Sequence, residues 1–324
     1  MSTAELSIPI EAQKSSGAFR HILVATDFSE PSRRALCEAR LVAAENHAQL
    51  SIIHILHPDR KYAALENPPE LDLERTAAEK RLQALAEESA PEQRLDVTLL
   101  KHGPVVEQVK SVIERQAIDL LVIGTRGRGG LPKLALGSVA EELLRVAPCP
   151  VMTIGPQADI DIKTAGVHDA PGFHTILLAT DFGKRSAKAL PLALALAKAR
   201  QGKLILLHMI SPMPTTSTSL SAYSPASAAA DEVQQWESAS RKQAVQQLKA
   251  CLPADHGLEQ EPACIVGTEF LAEGVLTASV KYKVDLIVMG ANQSSSARVA
   301  AHLPWTSVHE VIRYAPCPVL TVGG

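Results

Sequence analysis

The sequence predicts an α/β protein made of two tandem open parallel sheets, five strands each, with helices on both faces. Three observations predict it. The chain repeats itself once at domain length, short β-branched runs alternate with segments of helical spacing, and the apolar residues are aliphatic rather than aromatic. Hydrophobic residues make up 46% of the 324 residues but aromatics only 3%. That balance suits parallel strands buried on both faces, which favour Val, Ile and Leu.

The repeat sets the architecture. His21-Ile-Leu-Val-Ala-Thr-Asp-Phe28 returns as Thr175-Ile-Leu-Leu-Ala-Thr-Asp-Phe182, and Ser51-Ile-Ile-His54-Ile as Ile205-Leu-Leu-His208-Met. Asp119-Leu-Leu-Val-Ile-Gly124 returns as Asp285-Leu-Ile-Val-Met-Gly290, and Arg145-Val-Ala-Pro-Cys-Pro-Val151 as Arg313-Tyr-Ala-Pro-Cys-Pro-Val319. Such matches in one order indicate a duplicated domain. A tail over 1–19, a domain over 20–156, a linker over 157–171 and a second domain over 172–324 follow from the composition between the copies.

Within the first copy, β-branched runs at 22–26, 50–56, 95–100, 119–123 and 150–154 predict strands. Helical spacing predicts helices over 31–47, 70–89, 104–117 and 138–147. Ser29 followed by Pro31 marks a helix start, because Pro suits the first turn, and Pro148 stops the last helix. Strand–helix alternation of this kind builds a parallel sheet wrapped by helices. In the second copy, the Ser-, Pro- and Ala-rich stretch 211–229 reads as a loop after the second strand.

Composition excludes several classes of function. Lys plus Arg is 32 against 35 for Asp plus Glu, a net charge of −3, which gives no electrostatic footprint for duplex DNA or an anionic membrane. Few aromatics argue against a stacking platform for single-stranded nucleic acid. No apolar run approaches the ~18 residues that span a bilayer, and the polar N-terminus lacks the apolar centre of a secretory signal. Cys37, Cys149, Cys251, Cys264 and Cys317 show no C-x-x-C spacing and no disulfide framework. Cys149 and Cys317 read as small buried thiols at strand starts, and a reducing cytoplasm is the expected compartment. No cluster of His, Cys and carboxylates has zinc-site spacing.

The chemistry-bearing motif is Gly124-Thr-Arg-Gly127, followed after nine residues by Gly137-Ser138. Gly124 and Gly127 admit close backbone approach. Gly137-Ser138 opens a helix, whose unpaired N–H groups and positive dipole end favour an anion. Ser138 supplies a hydroxyl for a cap or a phosphate. Arg126, Arg128 and Lys133 are candidate helpers. The loop has no Gly-Lys-Ser/Thr and is not a Walker A loop, and Pro132 breaks the dinucleotide fingerprint. Asp27 lies just past the first strand, where a carboxylate accepts from a ribose hydroxyl or caps the following helix. A bare glycine-rich connection without a ligand is the alternative reading of the loop.

Taken together, Ala-Thr-Asp-Phe-Ser, the strand-two His, the Gly-x2-Gly-x9-Gly-Ser loop and Ala-Pro-Cys-Pro-Val resemble the universal stress protein family. The likeness covers about 20–155 and, more loosely, 172–324. It implies the strand order 3-2-1-4-5 in each sheet, with ATP as ligand and Mg²⁺ compatible with its phosphates. It implies that Ala25, Thr26 and Asp27 flank the nucleoside and that the backbone of Ile55 meets adenine. Gly124, Thr125, Arg126, Gly127, Gly137, Ser138 and Val139 would then cradle the phosphates. His54 reads as a packed strand residue rather than a catalyst. The fifth strands of family members pair, which implies an intramolecular pseudo-dimer here, with a homodimer of whole chains as a further level.

The second copy departs from this pattern. Gln293 stands at the position of Gly127, the loop is two residues longer, and Trp305-Thr306 fall at the position of Gly137-Ser138. No ATP, or much weaker binding, is expected there, with Asp181 a structural cap and His302, His309 and Trp305 surface packing. The functional expectation is an ATP-binding stress-response regulatory protein with the nucleotide in the N-terminal domain. The alternatives are a slow ATPase or another nucleotide-dependent enzyme on the same fold, and a ligand-free interaction scaffold. No catalytic residue is assigned: no Lys follows the glycine loop and no base is paired with a nucleophile.

Overall fold

The structure, a computed structural model, describes residues 17–56, 69–88, 95–125, 136–159, 172–210, 226–291 and 302–323. The first half runs β1 (His21–Ala25), α1 (Glu30–Asn46), β2 (Gln49–Leu56), α2 (Pro69–Glu87), β3 (Leu95–His102), α3 (Val105–Arg115), β4 (Leu120–Gly124), α4 (Ser138–Val146) and β5 (Val151–Ile154). The second half repeats that order: β6 (Thr175–Ala179), α5 (Lys184–Ala199), β7 (Lys203–Met209), α6 (Ala226–Cys251), β8 (Ala263–Gly267), α7 (Leu271–Lys281), β9 (Leu286–Gly290), α8 (His302–Tyr314) and β10 (Val319–Val322). The sequence boundaries agree with these to within two residues in the first half. In the second, residues 226–229, expected in a loop, already belong to α6, and the rest of that expected loop lies outside the described residues.

Each half has the strand order 3-2-1-4-5 with parallel neighbours. The two sheets are continuous: β5 and β10 pair antiparallel through Thr153↔Val319, Met152↔Leu320 and Val151↔Thr321, making one sheet of ten strands. The Thr321 hydroxyl donates to the Val151 carbonyl across this seam at 3.1 Å.

Alternation along the strands sends side chains to opposite faces. Ile22, Val24, Leu50 and Ile52 join a cluster under α1, α2, α5 and α6, whereas Leu23, Ile53, Leu121 and Ile123 join one under α3, α4, α7 and α8. Both clusters contain residues of both halves. Cys149 and Cys317 sit in the second cluster, and burial pushes each thiol up to about 12, so neither is a ready nucleophile. Among the described residues, no helix is long and apolar enough to cross a membrane.

The duplication extends to backbone detail. Non-glycine residues with left-handed φ fall in matched pairs among the described residues: Phe28 with Phe182, His47 with Gln201, and Ala117 with Lys283. Asp119 accepts from the N–H groups of Arg20 and His21 at 2.8 and 3.0 Å, and Asp285 from those of His174 and Thr175 at 3.0 and 2.8 Å. The Asp that opens the fourth strand of each copy therefore anchors the start of the first strand.

The edges of the halves are more ordered than composition implied. Phe19, expected in the tail, is 1% exposed, and the Ala18 N–H donates to the Asn46 side chain at 2.7 Å. Residues 157–159, expected to open the linker, are clamped. The Arg34 guanidinium donates to the carbonyls of Gly155 and Pro156 at 3.3 and 3.5 Å and to that of Ala158, and the Asp159 N–H donates to the Pro316 carbonyl at 2.9 Å. Glu45 of α1 pairs with Arg200, just past α5, at 2.6 Å.

Glu38 of α1 is 7% exposed. Burial, aided by the charges of Glu45 and of Asp285 in the second half, pushes its carboxyl from 4.5 up to about 7. The folded state thus holds this proton more tightly than the unfolded chain. The stabilising contribution is complete below about pH 4.5 and is lost as pH rises through about 7. Glu38→Gln is expected to gain stability over the unmodified chain as pH rises from 5 to 8, by about 3 kcal/mol at most. Urea unfolding at both pH values checks this; a difference that does not change with pH contradicts it.

Candidate functional site

Strand order reverses at β1, which lies between β2 and β4. In open α/β sheets the crevice beyond the carboxyl ends at such a point is the usual ligand site. The turn leaving β1 and the residues leaving β4 face each other across it.

The turn from Thr26 to Ser29 is tightly determined. The Thr26 N–H donates to the Ile53 carbonyl at 2.9 Å, and its hydroxyl accepts from the Phe28 N–H at 3.0 Å. The Thr26 hydroxyl also lies 3.1 Å from that of Ser32. His54 Nδ1 lies 2.7 Å from the Thr26 carbonyl oxygen, so that nitrogen carries the proton and donates. Phe28 takes φ 63° with its ring 4.4 Å from that of His54. A bulky residue in this region costs about 1–3 kcal/mol and persists only where its surroundings enforce it. His54 is the packed strand residue the sequence indicated.

Asp27 supplies the carboxylate of this turn. Its Oδ1 accepts from the Ser29 N–H at 3.0 Å and from the Ser29 hydroxyl at 2.5 Å. Its Oδ2 is buried and has no hydrogen-bond partner. Ser29 is the N-cap of α1, but makes no side-chain cap bond because its hydroxyl turns back to Asp27. Asp27 in turn binds Ser29 rather than the first helical turn, so the helix-cap reading does not describe its contacts. An unpaired buried polar atom costs ~1–3 kcal/mol, more if charged.

Beside this carboxylate, Ala25 ends β1 opposite Ile53, and β2 runs on to Leu56. Backbone N–H and C=O groups in parallel strands turn to alternate neighbours. Ile53 sends its carbonyl to Thr26, so the N–H and C=O of Ile55 point the same way, beyond the end of β1. Across the crevice, Thr125 is buried; its N–H donates to Ile154 at 3.3 Å and its carbonyl accepts from Gly137 at 2.8 Å. Gly137 is the N-cap of α4 and supplies no side-chain cap. Ser138, expected as a candidate cap, is instead the first helical residue, and both it and Val139 are exposed. Arg126 and Gly127, with Arg128 and Lys133, lie outside the described residues.

Gly124 has a packing reason of its own. A Cβ on it would stand 2.6 Å from the Pro31 backbone, and one on Gly290 would stand 2.7 Å from the Ser186 nitrogen. The first turn of α1 or α5 rests directly on the strand end. The shared glycine therefore serves the helix, and the ligand-approach reading is not needed to explain it.

The second crevice is built differently. Gly183 replaces Ser29, and Asp181 Oδ1 accepts from the Gly183 N–H at 2.8 Å and the Ser186 hydroxyl at 2.7 Å. Burial opposes ionisation of Asp181, but the Ser186 hydroxyl and the backbone N–H groups outweigh it and hold the carboxyl below its ordinary value. His208 repeats the His54 contact, 2.8 Å from the Thr180 carbonyl oxygen. Met209, the counterpart of Ile55, fills the hollow at Gly267 and Gly274, where any Cβ would meet its sulfur or methyl. The backbone of α8 starts at His302, so Trp305 and Thr306 lie within the helix and not at its entrance as the alignment implied. Relative to α4, that helix end is displaced by four residues, about 6 Å of axial rise. His309 packs beside Glu141 and Arg145 of α4, with burial lowering its pKa, while Gln293 lies outside the described residues.

Comparison with known proteins follows this geometry. The profile of the universal stress protein family matches residues 18–155 and again 172–323. The chain belongs to the universal stress protein family. Universal stress protein A homolog 1 of Coxiella burnetii is 35% identical over 42% of this chain and 96% of its own length. A Thermus aquaticus universal stress protein is 34% identical over 42% of this chain and 98% of its own length. A crystal structure of a universal stress protein from Archaeoglobus fulgidus shares the fold across both halves, with TM-score 0.66, 19% identity, and coverage of 95% of this chain and 97% of that one.

In this universal stress protein the structure brings Ala25, Thr26, Asp27, Ile55, Gly124, Thr125 and Gly137 to one end of the sheet. Sequence reasoning missed the Ser29 hydroxyl on Asp27. The Asp-x-Ser spacing was the available signal, because such a serine reaches back two residues as readily as it caps forward. The glycine argument makes a symmetric prediction. Gly124→Ala and Gly290→Ala should each destabilise the fold by about 1–3 kcal/mol, through a Cβ forced onto helix backbone. Urea unfolding measures it, and a neutral Gly124→Ala would contradict the packing role.

Proposed function

We propose that this universal stress protein is an ATP-binding stress-response regulatory protein whose nucleotide sits in the N-terminal half. The observation that carries the reading is the buried, unpartnered Oδ2 of Asp27 at the strand-order switch. A ribose hydroxyl is the donor this oxygen lacks. The outward-turned backbone of Ile55 suits an adenine edge, and the α4 start, without a side-chain cap, offers N–H groups to phosphate. Gly127 and Arg126 complete the set proposed from the loop, with Ser138 and Val139 at the helix start. Mg²⁺ would ride on the phosphates, where it needs few protein ligands.

The second half is proposed to hold no ATP. Met209 occupies the hollow beside its crevice, the α8 start is displaced, and Asp181 is turned to solvent. The reading is of a sensor of nucleotide level, with the nucleotide held in one half of a duplicated frame.

Mass spectrometry of the small molecules released on denaturing freshly purified protein tests the reading. Adenine nucleotide is expected from the unmodified chain and from Asp181→Ala. Asp27→Ala should bind ATP at least about tenfold more weakly by calorimetry, the scale of a lost hydrogen bond to a charged group. Equal losses in the two variants, or a nucleotide held only by the C-terminal half, would overturn it.

A further inference from the structure

We infer that Ser29 is the positioning residue that makes the N-terminal crevice selective for a ribonucleotide, by fixing which oxygen of Asp27 faces the sugar. The inference rests on the nucleotide reading above and names the group that sets its sugar preference. Oδ1 of Asp27 receives two donors from this single residue, its backbone N–H and its hydroxyl. A carboxylate oxygen has two lone-pair sites, so Oδ1 is saturated. All remaining acceptor capacity lies on Oδ2, which is buried and unpartnered.

The second half supplies an internal comparison. There Gly183 stands at the position of Ser29, and the hydroxyl on the aspartate comes from Ser186, on the first turn of α5. Its counterpart Ser32, like Ser186, reaches the carbonyl three residues back, at 2.9 Å against 3.0 Å, but its hydroxyl lies 3.1 Å from that of Thr26 and makes no bond to the aspartate. The two carboxylates differ accordingly: Asp27 is half-buried, while Asp181 is exposed. A hydroxyl on the turn draws the carboxylate into the crevice, and one on the helix lets it swing to solvent. The backbone around both is the same, with Phe28 and Phe182 at φ 63° and 60° and His54 and His208 on equivalent carbonyls. The side chain at position 29 is thus the variable that separates the two arrangements.

A site that hydrogen-bonds a sugar hydroxyl rejects the analogue that lacks it, because its own buried acceptor is then left unpaired. Calorimetry on the full chain with ATP and with 2′,3′-dideoxy-ATP reads this preference directly. The unmodified protein is expected to bind ATP about tenfold or more tightly than the dideoxy analogue. Ser29→Gly, which copies the second half, should bring the ratio down to roughly twofold or less while dideoxy-ATP affinity stays within about twofold. Retained dideoxy-ATP binding shows that the fold and phosphate contacts survive. Ser29→Thr, which restores a hydroxyl, should restore the preference. An unchanged ratio in Ser29→Gly, or equal loss of both ligands, overturns the role given to Ser29 and leaves the nucleotide site standing. Failure of the unmodified chain to bind ATP removes the nucleotide reading itself, and Ser29's role with it.

Discussion

The first strand of each half stops one residue before its last carbonyl finds a strand partner, and a histidine ring from the second strand takes up that carbonyl. His54 meets Thr26 at 2.7 Å and His208 meets Thr180 at 2.8 Å. A buried carbonyl must be satisfied, and this link satisfies it where the sheet cannot. With the carbonyl tied down, the chain must reverse within two residues to start α1 or α5. Phe28 and Phe182 enter the left-handed region to do so, each with its ring tilted against that of the same histidine. The aspartate between threonine and phenylalanine is thereby presented at a fixed place above the sheet. The rest of the crevice is arranged around it, including the close rest of α1 on Gly124.

Duplication preserved this frame and released what hangs on it. The left-handed residues, the strand-anchoring aspartates and the glycines under the helix starts match between halves, because each answers a demand of backbone geometry. The residues that differ make no such contribution to the frame. Ser29 becomes Gly183, Ile55 becomes Met209, and the last helix gains a turn at its start. Differences at those positions change the surroundings of the crevice without altering the fold that forms it.

The same distinction explains how much was legible beforehand. Strand runs such as Leu120 to Ile123 and helix stops at Pro148 are local signals, so the elements were readable to within a residue or two. The duplication was readable because repeated backbone demands leave repeated letters. Position within the crevice was less legible. Gly124 looked like a ligand glycine because sequence spacing does not reveal that the space beside it is filled by Pro31. The start of α8 was misplaced because counting back from Ala-Pro-Cys-Pro assumes helices of equal length. Glu38 gave no signal, since a glutamate among α1 residues reads as solvent-facing until α1 meets the second half.

The seam shows why one chain carries two such halves. β5 is four residues long, all buried and three of them apolar, and left alone it would be an exposed sheet edge that pairs with any available strand. Pairing with β10 buries that edge, and the hydroxyl of Thr321 adds a bond across it. Within a single polypeptide the partner strand is always present at high effective concentration, so the pairing does not depend on how much protein there is. The second half must therefore keep β10, its buried Cys317 and its share of the common core, whatever becomes of its crevice. The seam needs β10 and the common core, and it makes no demand on the residues that line the C-terminal crevice.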